Sequence, residues 1–155
     1  MEEQVVERML IRGAPEQCYE VLTQFDDYPQ WAADIRSVNV EERDSDGRPS
    51  LVTFRAAAFG RSTSYSLRYD YSEAPSKLSW TQERGDITRR LDGAYELTPS
   101  GDGGTEIAYT LVVDLIVPLP GFVKRRAEGR IIGSALRELK ARVESAGAPQ
   151  AATEA

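Results

Sequence analysis

Arg125 and Glu128 stand three residues apart in VPLPGFVKRRAEGRIIGSALRELKARVE. On a helix that is one turn, so the guanidinium and carboxylate either pair with each other or together meet the polar head of a ligand. An arginine beside a bound carbonyl can also polarise it as enolate charge develops. The plainer reading makes Lys124, Arg125, Arg126 and Arg130 a solvated basic face, the usual fate of a charge run. A second set is aromatic: Tyr65, Tyr69 and Tyr71, with Trp80 and Tyr95. Aromatics at period two ordinarily pack a sheet. Yet a phenol inside an apolar cavity needs a hydrogen-bond partner, and a ligand oxygen can be one. The third is FDDYPQWAADIRSV, residues 25–38, which sets Tyr28, Pro29 and Trp31 among carboxylates and small residues. These rings are either core or the wall of a site.

What is missing narrows the chemistry. The chain has no histidine, which removes histidine triads, HExxH zinc sites and imidazole bases, and its single cysteine removes an internal disulfide and a cysteine zinc cluster. Cys18 falls in the helical spacing Cys18, Val21, Leu22, Phe25 and reads as a small buried apolar residue rather than a reactive thiol. No catalytic residue, metal ligand or cofactor is assigned. At 155 residues the chain suits one domain. That domain is expected over 1–146, with a disordered tail over 147–155. A net charge of −6 and a pI near 4.8 repel phosphate backbones on average, so nucleic acid is not an expected partner. No run approaches the roughly 18 apolar residues of a membrane span. The start MEEQVVERML is acidic where a secretion signal is basic. The expectation is a cytoplasmic protein without integral membrane association.

Hydropathy spacing gives the elements that must position these groups. Val5 to Ile11 reads as a first strand. Gly13-Ala14-Pro15 punctuates it, and Pro15 suits the first turn of a helix running to about Phe25. Asp26-Asp27-Tyr28-Pro29 ends that helix, and Pro29 to Ala33 makes one more short turn. From Ile35 the period becomes two: Val38 and Val40; Val52, Phe54, Ala56 and Ala58; Tyr65, Leu67, Tyr69 and Tyr71; Leu78 and Trp80; Leu91, Gly93, Tyr95 and Leu97; Ile107, Tyr109, Leu111 and Val113. Turn-forming runs such as Asp44-Ser45-Asp46-Gly47, Phe59-Gly60-Arg61 and Pro99-Ser100-Gly101-Asp102-Gly103-Gly104 are short enough for successive antiparallel hairpins. Pro118 and Pro120 stop the last strand, and a helix follows from about Gly121 to Glu144. On it Ile132, Ala135, Leu136, Leu139 and Val143 share a stripe that projects back to Gly129, Glu128, Arg125 and Gly121. This helix, roughly 36 Å long, can cover the apolar face of a sheet curled around it. The small residues Ala56, Ala58 and Gly93 leave volume on the inner face, so a cavity between sheet and helix follows.

FDDYPQWAADIRSV, YSLRYDYSEAPSKLSW, LDGAYELTPSGDGGTEIAYTL and the final helix together resemble the START-related superfamily. That group includes lipid-transfer domains, the birch-pollen-allergen group, ubiquinone-binding chaperones and bacterial polyketide aromatase/cyclases. The likeness spans Val5 to Val143. It implies an α+β helix-grip fold: a curled seven-stranded antiparallel sheet wrapped around a long C-terminal helix, with two short helices after strand 1. In similar proteins the short helix bearing Tyr28, Pro29 and Trp31 caps one mouth of the sheet. With the apolar strand face inward, the expected ligand-binding set is Tyr28, Trp31, Phe54, Ala56, Tyr65, Leu67, Tyr69, Trp80, Leu91, Tyr95 and Tyr109, joined by Arg125, Glu128, Gly129, Ile132 and Leu136 from the helix. The leading function is binding or carriage of a hydrophobic small molecule, a lipid, quinone or polyketide. The alternatives are a polyketide aromatase/cyclase or dehydratase, and a protein-interaction module using an apolar patch on the outer sheet or around Phe122 and Val123. The oligomeric state is left open.

Overall fold

The computed structural model describes residues 4–58, 60–116 and 119–147. Phe59, Pro118, the side chain of Ala58 and the tail over 148–155 lie outside the described residues. The chain runs β1 (Gln4–Ile11), α1 (Pro15–Thr23), a 3-10 turn (Phe25–Asp27), α2 (Tyr28–Trp31), β2 (Ile35–Arg43), β3 (Pro49–Ala58), β4 (Arg61–Asp70), β5 (Lys77–Gly85), β6 (Thr88–Pro99), β7 (Thr105–Leu115) and α3 (Gly121–Gly147).

One antiparallel sheet holds all seven strands in the order β1-β7-β6-β5-β4-β3-β2. Strands β2 to β7 are successive hairpins, and only the pairing of β1 with β7 joins distant sequence, from Gln4 opposite Val112 to Ile11 opposite Thr105. Irregular pairing between Val40 and Glu42 and between Ser66 and Leu67 adds local twist. That twist helps to curl the sheet, producing the expected helix-grip arrangement. Tyr71 was expected to continue its strand, but β4 stops at Asp70. The Tyr71 hydroxyl donates to the Pro49 carbonyl at 2.6 Å and Arg48 lies 4.7 Å from its ring centroid, so this tyrosine fastens a hairpin end.

Helix α1 starts where Pro15 needs no backbone donor, and the Ala14 N–H is met by Gln17 Oε1 at 2.9 Å. The first helix ends earlier than expected, at Thr23. The 3-10 turn and α2 take over, with Pro29 in the first turn of α2. Cys18 is fully buried and burial raises its thiol pKa.

The stripe Ile132, Leu136, Leu139, Val143 is fully buried, and α3 packs on β1, β7 and α1. Its second half is clamped: Arg12 N–H donates to Glu144 Oε2 at 2.9 Å, and Val143 presses against Gly13, where an added Cβ would come within 2.5 Å of Val143 Cγ1. Its first turns carry exposed groups, Phe122 at 64% with Arg125, Arg126 and Arg130, while Glu128 between them is buried. Among the described residues no helix is long and apolar enough to cross a membrane.

Candidate functional site

A cavity of about 220 Å³ lies between the inner face of β3 to β7, the short helix α2 and the middle of α3. It exceeds the roughly 150 Å³ apolar cavity known to admit benzene. Rings form much of its wall. Centroid separations are 4.9 Å for Tyr28–Trp31, 5.8 Å for Tyr28–Phe54 and 5.4 Å for Phe54–Tyr65. Beyond them Tyr69–Trp80 at 5.8 Å, Trp80–Tyr95 at 5.4 Å and Tyr95–Tyr109 at 4.4 Å continue the surface. The core-or-wall choice at Tyr28 dissolves, because the ring does both. Its hydroxyl is tied to the Leu22 carbonyl at 2.6 Å while its ring lines the cavity beside half-buried Trp31.

The polar inventory is short. The rings of Tyr95 and Tyr109 stack at 4.4 Å, and the hydroxyls of Tyr65 and Tyr69 bond to no protein group among the described residues. The indole N–H groups of Trp31 and Trp80 are shielded from water and have no hydrogen-bond partner among the described residues. Burial raises the phenol pKa of Tyr28, Tyr65, Tyr69 and Tyr95 well above the ordinary value, and pushes Tyr109 up to about 12. Neighbouring phenols add to the effect at the first four. These hydroxyls are therefore donors, not bases, at neutral pH. Thr63 is satisfied by Asp86 and the Thr88 carbonyl by Gln82. Asp34 and Glu138 also line the cavity; Glu138 Oε2 accepts from the Ala33 N–H at 3.4 Å. No lysine or arginine is among the described lining residues.

Of the expected site residues, Tyr28, Trp31, Phe54, Ala56, Tyr65, Leu67, Tyr69, Trp80, Leu91, Tyr95 and Tyr109 line the cavity. Arg125, Glu128, Gly129, Ile132 and Leu136 do not. The helix instead presents Ile131, Ser134, Ala135 and Glu138, a face displaced from the apolar stripe by about a third of a turn. The most apolar stripe packs where contact is closest, and the cavity keeps the less apolar face beside it. Glu128 is 3% exposed and pairs with Lys124, not with exposed Arg125. Gly93 also departs from expectation. It leaves no free volume, because the Trp80 indole lies on it, and an added Cβ would come 2.6 Å from Trp80 Cζ2. Thr63, Leu111 and Val113 share the inward parity of their strands and were legible from it. Asp34, outside the regular elements, gave no periodic signal.

Residues 2–144 match the family described as polyketide cyclase / dehydrase and lipid transport. The chain belongs to that family. No curated protein matches the sequence. Among solved structures, this member of the polyketide cyclase / dehydrase and lipid transport family is similar to a START superfamily protein from Mycobacterium smegmatis. The two share 23% identity at a TM-score of 0.88, covering 94% of this chain and 99% of that one. It is also similar to the Zhui aromatase/cyclase from Streptomyces sp. R1128, with 13% identity, a TM-score of 0.81, and 94% and 95% of the two chains covered. Ginseng major latex-like protein 151 from Panax ginseng matches at 12% identity and a TM-score of 0.71, over 91% of this chain and 97% of that one. At these identities the structures establish the START-like helix-grip fold of the family member.

Proposed function

We propose that the chain binds and carries a hydrophobic small molecule in the cavity between sheet and α3. The observation that supports this is a cavity of about 220 Å³ whose wall is chiefly rings and aliphatic side chains, with phenols that stay protonated. Burial of apolar surface supplies the affinity, at about 25 cal/mol per Å². Native mass spectrometry of protein prepared from its own host without denaturants tests it. The expected result is a retained apolar molecule, lost in Ala56→Leu, where the larger side chain takes up cavity volume. Clean apo protein that also ignores a panel of lipids, quinones and aryl ketones would sink the reading.

A second reading, polyketide cyclisation or dehydration, is favoured by Asp34 and Glu138, carboxylates on the wall of a cavity that also holds donor phenols. A carboxylate taking a proton beside a carbonyl, with a phenol donating to the developing enolate oxygen, is the chemistry this supports. Incubation with a poly-ketone surrogate should then give a product pattern that Asp34→Asn and Glu138→Gln alter. Identical products from wild type, both variants and buffer count against it.

A further inference from the structure

We propose that the exposed side of α3 from Phe122 to Arg137 docks the protein on the surface of an anionic phospholipid bilayer. The inference goes beyond the carriage reading and does not depend on it. Between Gly121 and Arg137 the chain carries Lys124, Arg125, Arg126, Arg130 and Arg137 against one carboxylate, Glu128. Glu128 is buried and held by Lys124, so it answers none of the arginines. Arg125, Arg126 and Arg130 are exposed and make no ion pair or hydrogen bond among the described residues, and Arg137 reaches only Ser134 Oγ, at 3.4 Å. On the sheet the case is different: Glu83 and Glu42 answer Arg68, Glu41 answers Arg84 and Asp114 answers Arg89. A chain of net charge −6 has carboxylates to spare, so the arginines of α3 are left for a partner outside it. At 3.6 residues per turn Phe122, Arg126, Arg130 and Arg137 fall within about a quarter turn of one another. Gly129 borders that face, and an added Cβ there would meet nothing within 4 Å, so no described part of the chain packs over it.

Apolar groups accompany the charge. Of the five large apolar side chains exposed among the described residues, three, Ile116, Phe122 and Ile131, fall within residues 116–131, and Phe122 is the most exposed of all at 64%. Guanidinium groups bind phosphate oxygens, and an aromatic ring among them enters the boundary between headgroups and acyl chains. A soluble polyanion answers the charge alone, whereas an anionic bilayer answers both. The net charge of −6 does not forbid the contact. With a screening length of about 8 Å at physiological salt, the charge that matters at the bilayer is the local one. Ile131 also lines the cavity, so docking through this part of α3 sets the cavity rim beside the lipid phase.

Co-sedimentation of the full chain with vesicles tests this, using phosphatidylcholine alone and phosphatidylcholine with about one quarter phosphatidylglycerol. Binding to the mixed vesicles should be at least about tenfold stronger, and should weaken as salt rises from about 0.05 to about 0.5 M. Arg126→Glu with Arg130→Glu should cut it by at least about tenfold. Arg8→Glu with Arg36→Glu, the same change of net charge at exposed arginines of β1 and β2, should leave it within about twofold. Phe122→Ala should weaken binding by about threefold or more, and Phe122→Trp should show a blue shift of emission on mixed vesicles that the wild type lacks. Far-ultraviolet circular dichroism checks that each variant is folded. Failure to bind the mixed vesicles overturns the proposal, as does equal loss in the two arginine pairs, an unmoved Phe122→Trp emission, or retention on heparin by protein that ignores both vesicles. In each of these cases the carriage reading stands, because retention of an apolar molecule tests it separately.

Discussion

At Gly93 a methyl group would come 2.6 Å from Trp80 Cζ2 and 2.6 Å from the Thr110 carbonyl oxygen. The oxygen belongs to the neighbouring strand β7 and cannot retreat without disturbing the ladder, so the pairing of β6 with β7 is strained as well as the indole. Gly93→Ala should destabilise the fold by about 1–3 kcal/mol, the usual range for overpacking, and shift the Trp80 indole signal. Urea titration with an unchanged midpoint would contradict this. Gly129 is the opposite case. Nothing lies within 4 Å of an added Cβ, and the residue sits inside α3, so Gly129→Ala should stabilise by about 1 kcal/mol through helix propensity alone. Because Gly129 is not among the cavity-lining residues, the same variant should bind apolar probes as wild type does. The sequence placed both glycines toward the expected cavity, Gly93 as a small residue on the inner sheet face and Gly129 on the helix stripe turned to it. What separates them is whether a partner strand has already filled the room, and a single sequence carries no trace of that.

The strands were legible because a half-buried antiparallel sheet forces period two, and parity then assigned Phe54, Ala56, Tyr65, Leu67, Tyr69, Leu91, Tyr95 and Tyr109 to the inner face. The helix was legible in extent but not in phase. A long helix gripped by a sheet has one face in tight contact and another facing the cavity, and hydrophobicity marks the first. Hence Ile132 and Leu136 were expected at the cavity, whereas Ile131, Ser134, Ala135 and Glu138 line it. Glu128 projects onto the buried stripe, where its carboxylate is shielded and held by Lys124, whose side chain is 27% exposed. Removing one partner from a buried pair strands a charge, which in fully buried pairs costs about 3–5 kcal/mol. Partial solvent access at Lys124 lowers this, so Lys124→Met should cost about 1–2 kcal/mol. Adding Glu128→Leu should recover most of it, since an apolar pair of similar volume replaces the ion pair. Thermal unfolding of the single and double variants checks this. A double variant less stable than Lys124→Met would mean that the carboxylate has a second, unrecognised role.

On the scale of the whole molecule the tyrosines act together. Each of the seven, Tyr19, Tyr28, Tyr65, Tyr69, Tyr71, Tyr95 and Tyr109, has its pKa raised, with burial the leading cause. A phenol whose pKa is higher in the folded than in the unfolded chain keeps its proton only while folded. Its contribution is complete below the unfolded value near 10 and is lost as pH rises toward the folded value. For Tyr109, raised to about 12, the loss above pH 10 runs at about 1.4 kcal/mol per pH unit, and the other buried phenols steepen it. Stability should therefore be insensitive to phenol ionisation up to about pH 10 and then fall sharply. Tyrosinate absorbance should appear in one cooperative step, together with loss of the far-ultraviolet circular dichroism of the sheet. A bound neutral ligand should move that step to higher pH, because it stabilises only the folded chain. Gradual ionisation of several tyrosines near their ordinary pKa, with the dichroism still native, would mean that water reaches the cavity wall freely. A cavity so open could neither hold its phenols as donors nor retain an apolar guest.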